Sequence, residues 1–246
     1  MFYTILYQPL FNALVVLYNS VAFADLGVAV ILLTILIRFI LFPLFYKSLR
    51  QQAIMQRIQP HVKRIREEHK GNRESEAKAL MALYKEHRIN PFTSFFLILV
   101  QIPVLIALYR VFLHGFSPET FKDLYGFVHA PAQLHHMFLG LIDLQKPDML
   151  VVGLATIAQY FQAKLAFRKS ALSPQGDAKA PAAQIGKQMM FVGPALTLVF
   201  LLKLPSVIGL YWTTTALFSL VQQVFINRSL NAQPHGTISE KSNNNS

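Results

Sequence analysis

The chain has 246 residues, of which 53% are hydrophobic and 14% are charged, whereas ordinary soluble domains carry about 25% charged residues. This composition argues against a soluble domain and predicts a membrane protein whose core has lipid as its solvent. The formal net charge of +11 at pH 7 is an excess that, in a membrane protein, marks cytoplasmic loops before it marks nucleic-acid binding. The chain has no cysteine, which excludes disulfides and thiolate metal sites.

Residues 1–25 contain no Lys or Arg and no clear small-residue cleavage site, so we expect them to be retained and not removed as a signal peptide. An amphipathic pattern from residue 7 to residue 20 predicts an extracytoplasmic helix lying in the membrane interface. Its apolar positions are Leu10, Leu14, Leu17 and Val21, with Asn12 and Asn19 elsewhere. The alternative is a first short span, which would place the N-terminus inside with no positive charge to hold it there.

Arg38 is the single charged residue of an apolar run, residues 26–46, that is long enough to cross a bilayer. At about 1.5 Å per helical residue it lies about 18 Å from Leu26, at or beyond the middle of a hydrocarbon core of about 30 Å. A cation at that depth costs at least ~2.5–3.5 kcal/mol on insertion scales, so the fold must give it a wet or polar place. Thr34 lies on the same helix face and is expected to orient it or to hold water. A structural ion pair or a carbonyl-capping role is the alternative, although the predicted spans contain no acid.

Residues 47–90 follow a different pattern, with eleven Lys or Arg and two thin apolar stripes. The stripes are Ile54, Ile58, Val62 and Ile65, and then Ala77, Leu80, Met81 and Tyr84. With Gly71 and Asn72 between them, they predict a cytoplasmic helical hairpin whose first helix is kinked at Pro60. Asn90 and Pro91 predict the N-cap and first turn of the next helix. The cations of the hairpin are either topology signals or a docking surface for ribosomal RNA or anionic headgroups.

Five apolar stretches predict five transmembrane helices, and with the interfacial helix and the hairpin they give an all-α polytopic fold. The predicted transmembrane helices are residues 26–46, 91–113, Met149–Phe167, 188–203 and 204–226. Loop 47–90 holds eleven Lys or Arg and loop 168–187 holds four, whereas loop 114–148 holds two beside four acids. The positive-inside rule therefore places the N-terminus and loop 114–148 outside, and the tail 227–246 in the cytoplasm.

Four passages of the sequence carry a resemblance to a known family. They are GVAVILLTILIRFILFPL, the QPHVKRI of the basic hairpin, NPFTSFFLILVQIPVLIALYRVF, and MMFVGPALTLVFLLKLPSVIGLYWTTTALFSLVQQVFINR. In their order along the chain and in their residues, these passages closely resemble the YidC/Oxa/Alb family of membrane protein insertases. The resemblance extends from about residue 7 to residue 228. The size resembles the compact form of the family, which has five core helices and no large extracytoplasmic domain between the interfacial helix and the first core helix.

The resemblance implies a polar groove that faces lipid, opens toward the cytoplasm and is closed on the outer side. Arg38 occupies the place of the arginine that lies in this groove in the family. Gln162 and Trp212 match a glutamine and a tryptophan that line the same cavity, and Gln159 lies about one turn before Gln162. Thr215 is a departure, since relatives often carry an asparagine there.

Each of these residues has a plainer alternative role. Gln159 and Gln162 are equally well explained by interhelical hydrogen bonds, which is also the favoured role of Gln101. Tyr211 and Trp212 are either groove residues or part of an aromatic belt at the membrane interface. The eight histidines predict polar loops and no metal site, because no cluster of further ligands accompanies them.

The resemblance implies a protein that receives hydrophobic segments of nascent proteins in the groove and releases them into the bacterial inner membrane. The expected partners are nascent membrane-protein segments and lipids, with the ribosome and the Sec translocon as further candidates and no DNA. The short, polar tail 231–246 does not match the long basic tail with which some relatives bind ribosomes.

The sequence favours this function over two alternatives. A solute transporter or channel would be expected to show internal repeats or an ion-coupling acid near Arg38, and the sequence has neither. A passive anchor would act through the hairpin alone. The chain also lacks a phosphate-binding glycine loop, so we expect no nucleotide hydrolysis, no cofactor and no enzyme activity.

Overall fold

The computed structural model describes residues 2–90, 93–113, 120–131, 135–167 and 181–232. The described part is mostly helical, as predicted. After a π-helical turn at Tyr3–Tyr7, the elements are α1 (Gln8–Ser20), α2 (Leu26–Ile40), α3 (Phe42–Glu68), α4 (Arg73–Glu86), α5 (Thr93–Leu113), a 3-10 turn (Thr120–Asp123), β1 (Met137–Phe138), β2 (Ile142–Asp143), α6 (Met149–Phe167), α7 (Pro181–Leu201) and α8 (Ser206–Ala232). The predictions at Pro91, on residues 168–180 and on residues 233–246 lie outside the described residues.

The apolar run at residues 26–46 does not form the single helix that was predicted. It is divided between α2 and α3, which meet at Leu41 with a bend of 69°. Pro43 lies in the first turn of α3, and a proline inside a helix removes one hydrogen bond and clashes with the carbonyl four residues earlier. The first hairpin helix therefore begins at Phe42 and not near residue 47.

Length and hydropathy identify membrane-span candidates among the described helices. None of these helices passes both criteria alone, whereas α2 and α3 as far as Met55 pass them together as a bent pair. Shorter apolar segments occur at Leu99–Phe112, Met149–Leu165 and Phe191–Leu201. Helix α6 has the predicted bounds, α7 begins seven residues earlier than expected, and α8 continues six residues further.

Helix α1 packs against α2 and α5 and forms part of the main hydrophobic core. Its buried residues are Phe11, Asn12, Leu14, Val15 and Tyr18. The predicted apolar stripe is therefore only partly right: Leu14 is buried, whereas Val21 is 54% exposed. The buried face is rotated because a helix that packs on other helices turns its bulky side chains toward them.

The described part of loop 114–148 folds over α1 and the N-terminal ends of α2 and α8, and we call residues 120–131 and 135–148 the outer cap. The buried Asn12 side chain donates to Asp123 O at 3.0 Å and to Gln8 O at 2.8 Å, and it accepts from Tyr125 N at 2.7 Å. At the start of α8, the backbone N–H of Ser206 donates to Lys146 O at 2.9 Å. The outer cap is thus fixed at two separate helices.

Asp25 connects α2 to the small β-hairpin of the outer cap. One carboxylate oxygen accepts from Val28 N at 3.0 Å, which caps α2, and the other accepts from Leu139 N at 2.6 Å. Gly27 lies against the ring of Phe138, and a Cβ at Gly27 would overlap that ring. Close approach and capping together hold the hairpin on the end of α2.

Helices α3 and α4 form the predicted hairpin. Gly71 has φ of +98°, and Asn72 caps α4 by accepting from Ser75 N at 3.0 Å. The residues buried between the helices are Ile58, Val62, Leu83 and Ile89, with Ile54, Met55, Ile65, Leu80 and Tyr84 packed around them. Ala77 and Met81 are exposed, contrary to prediction, because α4 turns the side of Leu80, Leu83 and Tyr84 toward α3. Helix α3 continues through Pro60.

Candidate functional site

Arg38 lies in the last turn of α2 and is only 5% exposed. Its guanidinium carbon lies 4.2 Å from the centroid of the Phe45 ring, a cation–π contact across the bend. Its Nη1 atom is buried and makes no hydrogen bond with any described residue. The ion pairs found in the described ranges join other residues, so the ion-pair alternative has no support there. A buried guanidinium nitrogen without an acceptor among the described residues indicates that water or a ligand pairs with it.

Other buried polar atoms without a hydrogen-bond partner lie on the helices that pack around Arg38. They are Gln51 Oε1 on α3, and Thr215 Oγ1, Gln222 Nε2 and Gln222 Oε1 on α8. Helix α8 contacts both α2 and α3. Folded proteins leave few buried polar atoms unsatisfied, so a group of them on adjoining helices indicates a hydrated or ligand-binding region. We call Arg38, Ser48, Thr215, Ser219 and Gln222 the polar groove.

The α8 side of the groove is a regular stripe. Tyr211, Thr215, Ser219 and Gln222 follow one another at intervals of four, four and three residues, which places them on one helix face. At about 1.5 Å per residue the stripe is about 16 Å long. One turn further, Ile226 packs with Ala53 of α3 in a small hydrophobic cluster. This cluster brings the Gln222 end of the stripe close to α3.

The other end of the stripe adjoins Arg38. Tyr211 is buried and interacts electrostatically with Arg38, and its hydroxyl accepts a hydrogen bond from the side chain of Gln101 on α5. Gln101 thus makes the interhelical hydrogen bond that the sequence favoured. Because this bond holds the Tyr211 hydroxyl, Gln101 also belongs to the surroundings of the arginine.

The α3 side of the groove contributes short polar side chains. Ser48 is fully buried, one turn after Phe45, and the Gln52 side chain approaches its hydroxyl at 3.5 Å, the outer limit of a hydrogen bond. Gln51 also has a buried oxygen, but it lies two residues before Ala53 and therefore on the side of α3 opposite the contact with Ile226 of α8. Ser48 is thus the α3 side chain that continues the polar groove.

The residues predicted from the sequence divide into three groups. Arg38, Tyr211 and Thr215 adjoin one another. Thr34 is buried, but its hydroxyl donates to Val30 O at 2.6 Å, so it is bonded to its own helix and not to Arg38, as a threonine in a helix commonly is.

The third group is Gln159, Gln162 and Trp212, and no described contact joins any of them to Arg38. Gln159 and Gln162 are half-buried on α6, a helix that packs on α7 and α8, and neither makes a hydrogen bond to another described residue. Trp212 is half-buried and packs against the main core. Their membership of the groove stays a prediction.

Ser48 and Gln222 are groove residues that the sequence reasoning missed. The available signal was the pair Gln222 and Gln223 in an otherwise apolar part of α8, because buried amides in such a helix need partners. Chemically, the groove offers a permanently charged donor at Arg38 and a neutral amide donor and acceptor at Gln222. It can therefore bind water, carboxylates and peptide groups.

Known proteins resemble this chain in sequence and in fold. The sequence model of the 60Kd inner membrane protein family matches residues 16–233. The membrane protein insertase YidC of Geobacter sulfurreducens is 29% identical over 228 residues, which cover 93% of this chain and 38% of that protein. The YidC of Pelobacter propionicus is 32% identical over 235 residues, with coverages of 93% and 40%.

A crystal structure of an active YidC insertase with its first transmembrane domain resolved is also similar. Its TM-score is 0.55 at 25% identity, and the match covers 87% of this chain and 45% of that one. The chain thus spans about two fifths of the length of the curated relatives it matches. The family resemblance inferred from the sequence is confirmed: the chain belongs to the 60Kd inner membrane protein family, which includes the insertases named YidC.

Proposed function

We propose that this chain is a membrane protein insertase. A hydrophobic segment of a nascent protein contacts the groove, its polar flank enters among the groove side chains, and the segment moves sideways into lipid. The observation that carries the proposal is the buried guanidinium of Arg38, whose Nη1 has no acceptor among the described residues, together with the unpaired polar atoms of Gln222 on α8, the helix that adjoins Arg38 through Tyr211. Such a site attracts polar groups without a shaped pocket.

Exposed apolar residues beside the groove support sideways release. On α2, Phe39 is exposed directly after the buried Arg38, whereas the exposed Leu36 and Ile40 lie on the opposite face of the helix. On α8, the exposed residues Leu217, Val221 and Phe225 alternate with the buried polar stripe. A client segment would therefore meet apolar helix surface and polar groove side by side. Partitioning of the segment into lipid supplies the driving force, aided by a membrane potential worth ~2.3 kcal/mol per charge per 100 mV.

The proposed topology has five crossings in the inner membrane, with the N-terminus outside and the C-terminus in the cytoplasm. The outer cap adjoins the N-terminal end of α2, and the hairpin with its many cations follows the C-terminal end of α2. The positive-inside rule then assigns the hairpin to the cytoplasm. The ribosome and the Sec translocon are proposed partners on that side, because the hairpin exposes cations such as Arg57 and Arg73 there.

Reconstitution into proteoliposomes tests the proposed activity. Arg38→Ala is expected to lower insertion of a single-span client with an acidic flank, and Arg38→Lys to retain part of it, because lysine keeps the charge but loses the planar donors. Lys203→Ala, which removes an exposed cation next to the cap end of α8, is the matched control and should insert the client normally. Photo-cross-linkers at positions 38, 162 and 212 should each capture a stalled nascent segment.

Two outcomes would contradict the proposal. One is unchanged insertion by Arg38→Ala for every client tested. The other is selective conduction of ions or solutes by liposomes that insert no client, which would favour a transporter.

A further inference from the structure

The outer end of α2 carries a small apolar surface that lies outside the polar groove. We propose that Phe23, Leu139 and Leu141, the apolar patch, insert into the headgroup region of the outer leaflet and anchor the outer cap to the lipid surface. The inference rests on the proposed topology for the leaflet that it names, and it does not depend on the insertase activity.

The first observation is the exposure of large apolar side chains. Phe23 in the turn between α1 and α2 is 95% exposed, and Leu139 and Leu141 at the tip of the β-hairpin are 63% and 81% exposed. Residues 137–142, MFLGLI, contain no charged, hydroxyl or amide side chain, although loop 114–148 as a whole has two Lys and four acids. The charges of the loop therefore lie outside the hairpin tip.

A hydrogen bond joins the two parts of the apolar patch. The carboxylate of Asp25 accepts from Leu139 N at 2.6 Å. Phe23 is two residues before Asp25, a separation that the backbone spans in at most about 7 Å. Leu141 belongs to the same hairpin tip, where its N–H donates to Phe138 O at 3.0 Å. The turn and the hairpin tip therefore lie side by side at the outer end of α2.

The backbone of the patch has a conformation that bulky residues rarely adopt. Phe23 has φ of +53° and Leu139 has φ of +51°, in the left-handed region that favours Gly and Asn. Turns that face only water commonly use those residues, whereas here the same positions carry exposed apolar side chains. Strained residues of this kind are concentrated at functional positions. The patch is therefore better explained by a contact that uses its side chains than by turn formation.

The backbone N–H groups beneath the patch are paired within the protein. In the turn, Ala22 donates to Leu17 O, Ala24 to Tyr18 O and Asp25 to Ala22 O, at 2.9, 3.3 and 2.9 Å. At the hairpin tip, the N–H groups of Leu139 and Leu141 are bonded as described above. The apolar part of a bilayer offers no hydrogen bonds, so a segment that enters it needs its backbone groups paired. The patch meets this requirement at these positions.

Position and size favour lipid over a protein as the partner. Phe23 is three residues before Leu26, where the apolar run of α2 begins. The patch therefore lies within about 11 Å of that residue, close to the headgroup region where aromatic side chains are enriched. Three side chains bury at most about 750 Å², even if each were as large as an aromatic residue, which is less than the about 800 Å² per partner of a standard protein interface.

The anchor also bears on Arg38. Asp25 caps α2 through Val28 N and holds the hairpin tip through Leu139 N, so a tip fixed in the headgroups fixes the outer end of α2 relative to the lipid surface. Arg38 is twelve residues after Leu26, about 18 Å along the helix. The anchor therefore sets the depth at which the guanidinium lies below the outer surface.

Single-cysteine labelling in lipid nanodiscs tests the anchor, because the chain has no cysteine of its own. A polarity-sensitive fluorophore is attached to Phe23→Cys, Leu139→Cys or Leu141→Cys, and the nanodiscs contain lipids with a nitroxide quencher either near the headgroup or near the end of the acyl chain. Each label should lose most of its fluorescence to the shallow quencher and little to the deep one. Lys146→Cys is the matched control, because Lys146 is an exposed charged residue of the same cap, and its label should respond to neither quencher.

A second measurement separates lipid contact from a change in fold. In the double variant Leu139→Asn, Leu141→Asn, the label at position 23 should lose part of its quenching, because the hairpin tip no longer holds the turn in the headgroups. Asn adopts positive φ more readily than Leu, so this variant should unfold no earlier than the parent protein. Phe127→Asn replaces an exposed phenylalanine elsewhere in the outer cap and should leave the label at position 23 unchanged.

Four results would overturn the anchor. They are labels that neither quencher affects, stronger quenching by the deep nitroxide, fluorescence changes that require two copies of the chain in one nanodisc, and a label at position 23 that the double Asn variant leaves unchanged. Nanodiscs expose both membrane surfaces, so the quenching does not depend on the orientation of the chain. None of these results bears on the insertase function, which the Arg38→Ala assay tests separately.

Discussion

The outer cap and the polar groove differ in whether their buried polar groups are hydrogen-bonded. In the cap, the single side chain of Asn12 makes three hydrogen bonds, and the carboxylate of Asp25 uses both oxygens. In the groove, Arg38 and Gln222 leave buried atoms unpaired. The cap therefore fixes one conformation, whereas the groove keeps polar atoms that can bind water or, as we propose, a client.

This difference indicates where the chain places stability and where it places function. Fully satisfied polar networks make a region rigid and specify its structure. Unsatisfied ones lower the stability of the fold and are retained where activity requires them. Substitutions in the two regions should therefore have opposite effects on stability, and four experiments examine that expectation.

The largest effect is expected for Asn12→Leu. It leaves Tyr125 N of the cap without its side-chain partner and removes one of the two side-chain donors to Asp123 O, the other being Gln8 Nε2, so the free energy of unfolding should fall by about 2–4 kcal/mol. Asn19→Leu is the matched control on the same helix, because Asn19 is exposed and makes a single bond, to His129 O at 2.8 Å. Denaturant unfolding in detergent measures both, and equal losses would show that the cap is not specially dependent on Asn12.

Gly27→Ala should have the next largest effect. The added methyl group would overlap the Phe138 ring, and overpacking of this kind costs about 1–3 kcal/mol. Gly153→Ala is the control, since a Cβ there meets nothing within 4 Å and removing a helical glycine stabilises by roughly 0.5–1 kcal/mol. The double variant with Phe138→Ala should recover part of the loss. If the double variant recovers no stability, overlap between residue 27 and the Phe138 ring is not the cause of the loss.

In the groove, Thr215→Val should leave the free energy of unfolding unchanged or raise it by up to about 1 kcal/mol, because the buried Thr215 hydroxyl makes no hydrogen bond of good geometry and interacts weakly with the Tyr211 hydroxyl. Thr34→Val is a buried threonine-to-valine change on α2 that loses a bond to Val30 O, and it should be neutral or lower stability by about 0.5 kcal/mol. Thermal unfolding compares the two. A loss for Thr215→Val as large as that for Gly27→Ala would mean that the groove is packed like the cap.

The smallest effect concerns pH at the cap. Backbone hydrogen bonding from Gln145, and then the Lys146 side chain at 3.0 Å, hold the pKa of Asp143 below its ordinary value. A lowered folded-state pKa adds stability above the unfolded value of about 4, and that stability is lost as pH falls through the folded-state pKa. A melting-temperature series between pH 6 and pH 3 should show a small decrease that Asp143→Asn reduces. An unchanged decrease in that variant would assign it to other groups.

The sequence predicted local features of the fold better than long-range ones. The hairpin turn at Gly71 and Asn72 depends on residues within one turn of each other, and it was right. The break at Leu41 was not predicted although Pro43 lies two residues after it. The continuous apolar composition of residues 26–46 favoured a single helix more strongly than one proline argued against it. The burial of Asn12 could not be read from α1 alone, since its partners Asp123 and Tyr125 lie more than a hundred residues away.

The site was predictable where the cost of burial was large. Arg38 stood out because a charge in an apolar run needs an explanation wherever the chain folds. Gln222 did not, because a neutral amide in a helix has many ordinary roles, and only the packing of α3 against α8 shows that its own partners are missing.

Because α2 and α3 meet at a bend at Leu41, α3 can rotate about that point as one long rigid helix. The helix has 27 residues and is therefore about 40 Å long, so a rotation of about 10° at the bend would move its far end by about 7 Å. Ser48 and Gln51, close to the pivot, would shift by only about 2 Å. A partner that docks on the hairpin and pulls it would thus move the α3 side of the groove by a much smaller distance. That distance is large enough to open or narrow the groove without unfolding α2 or α3.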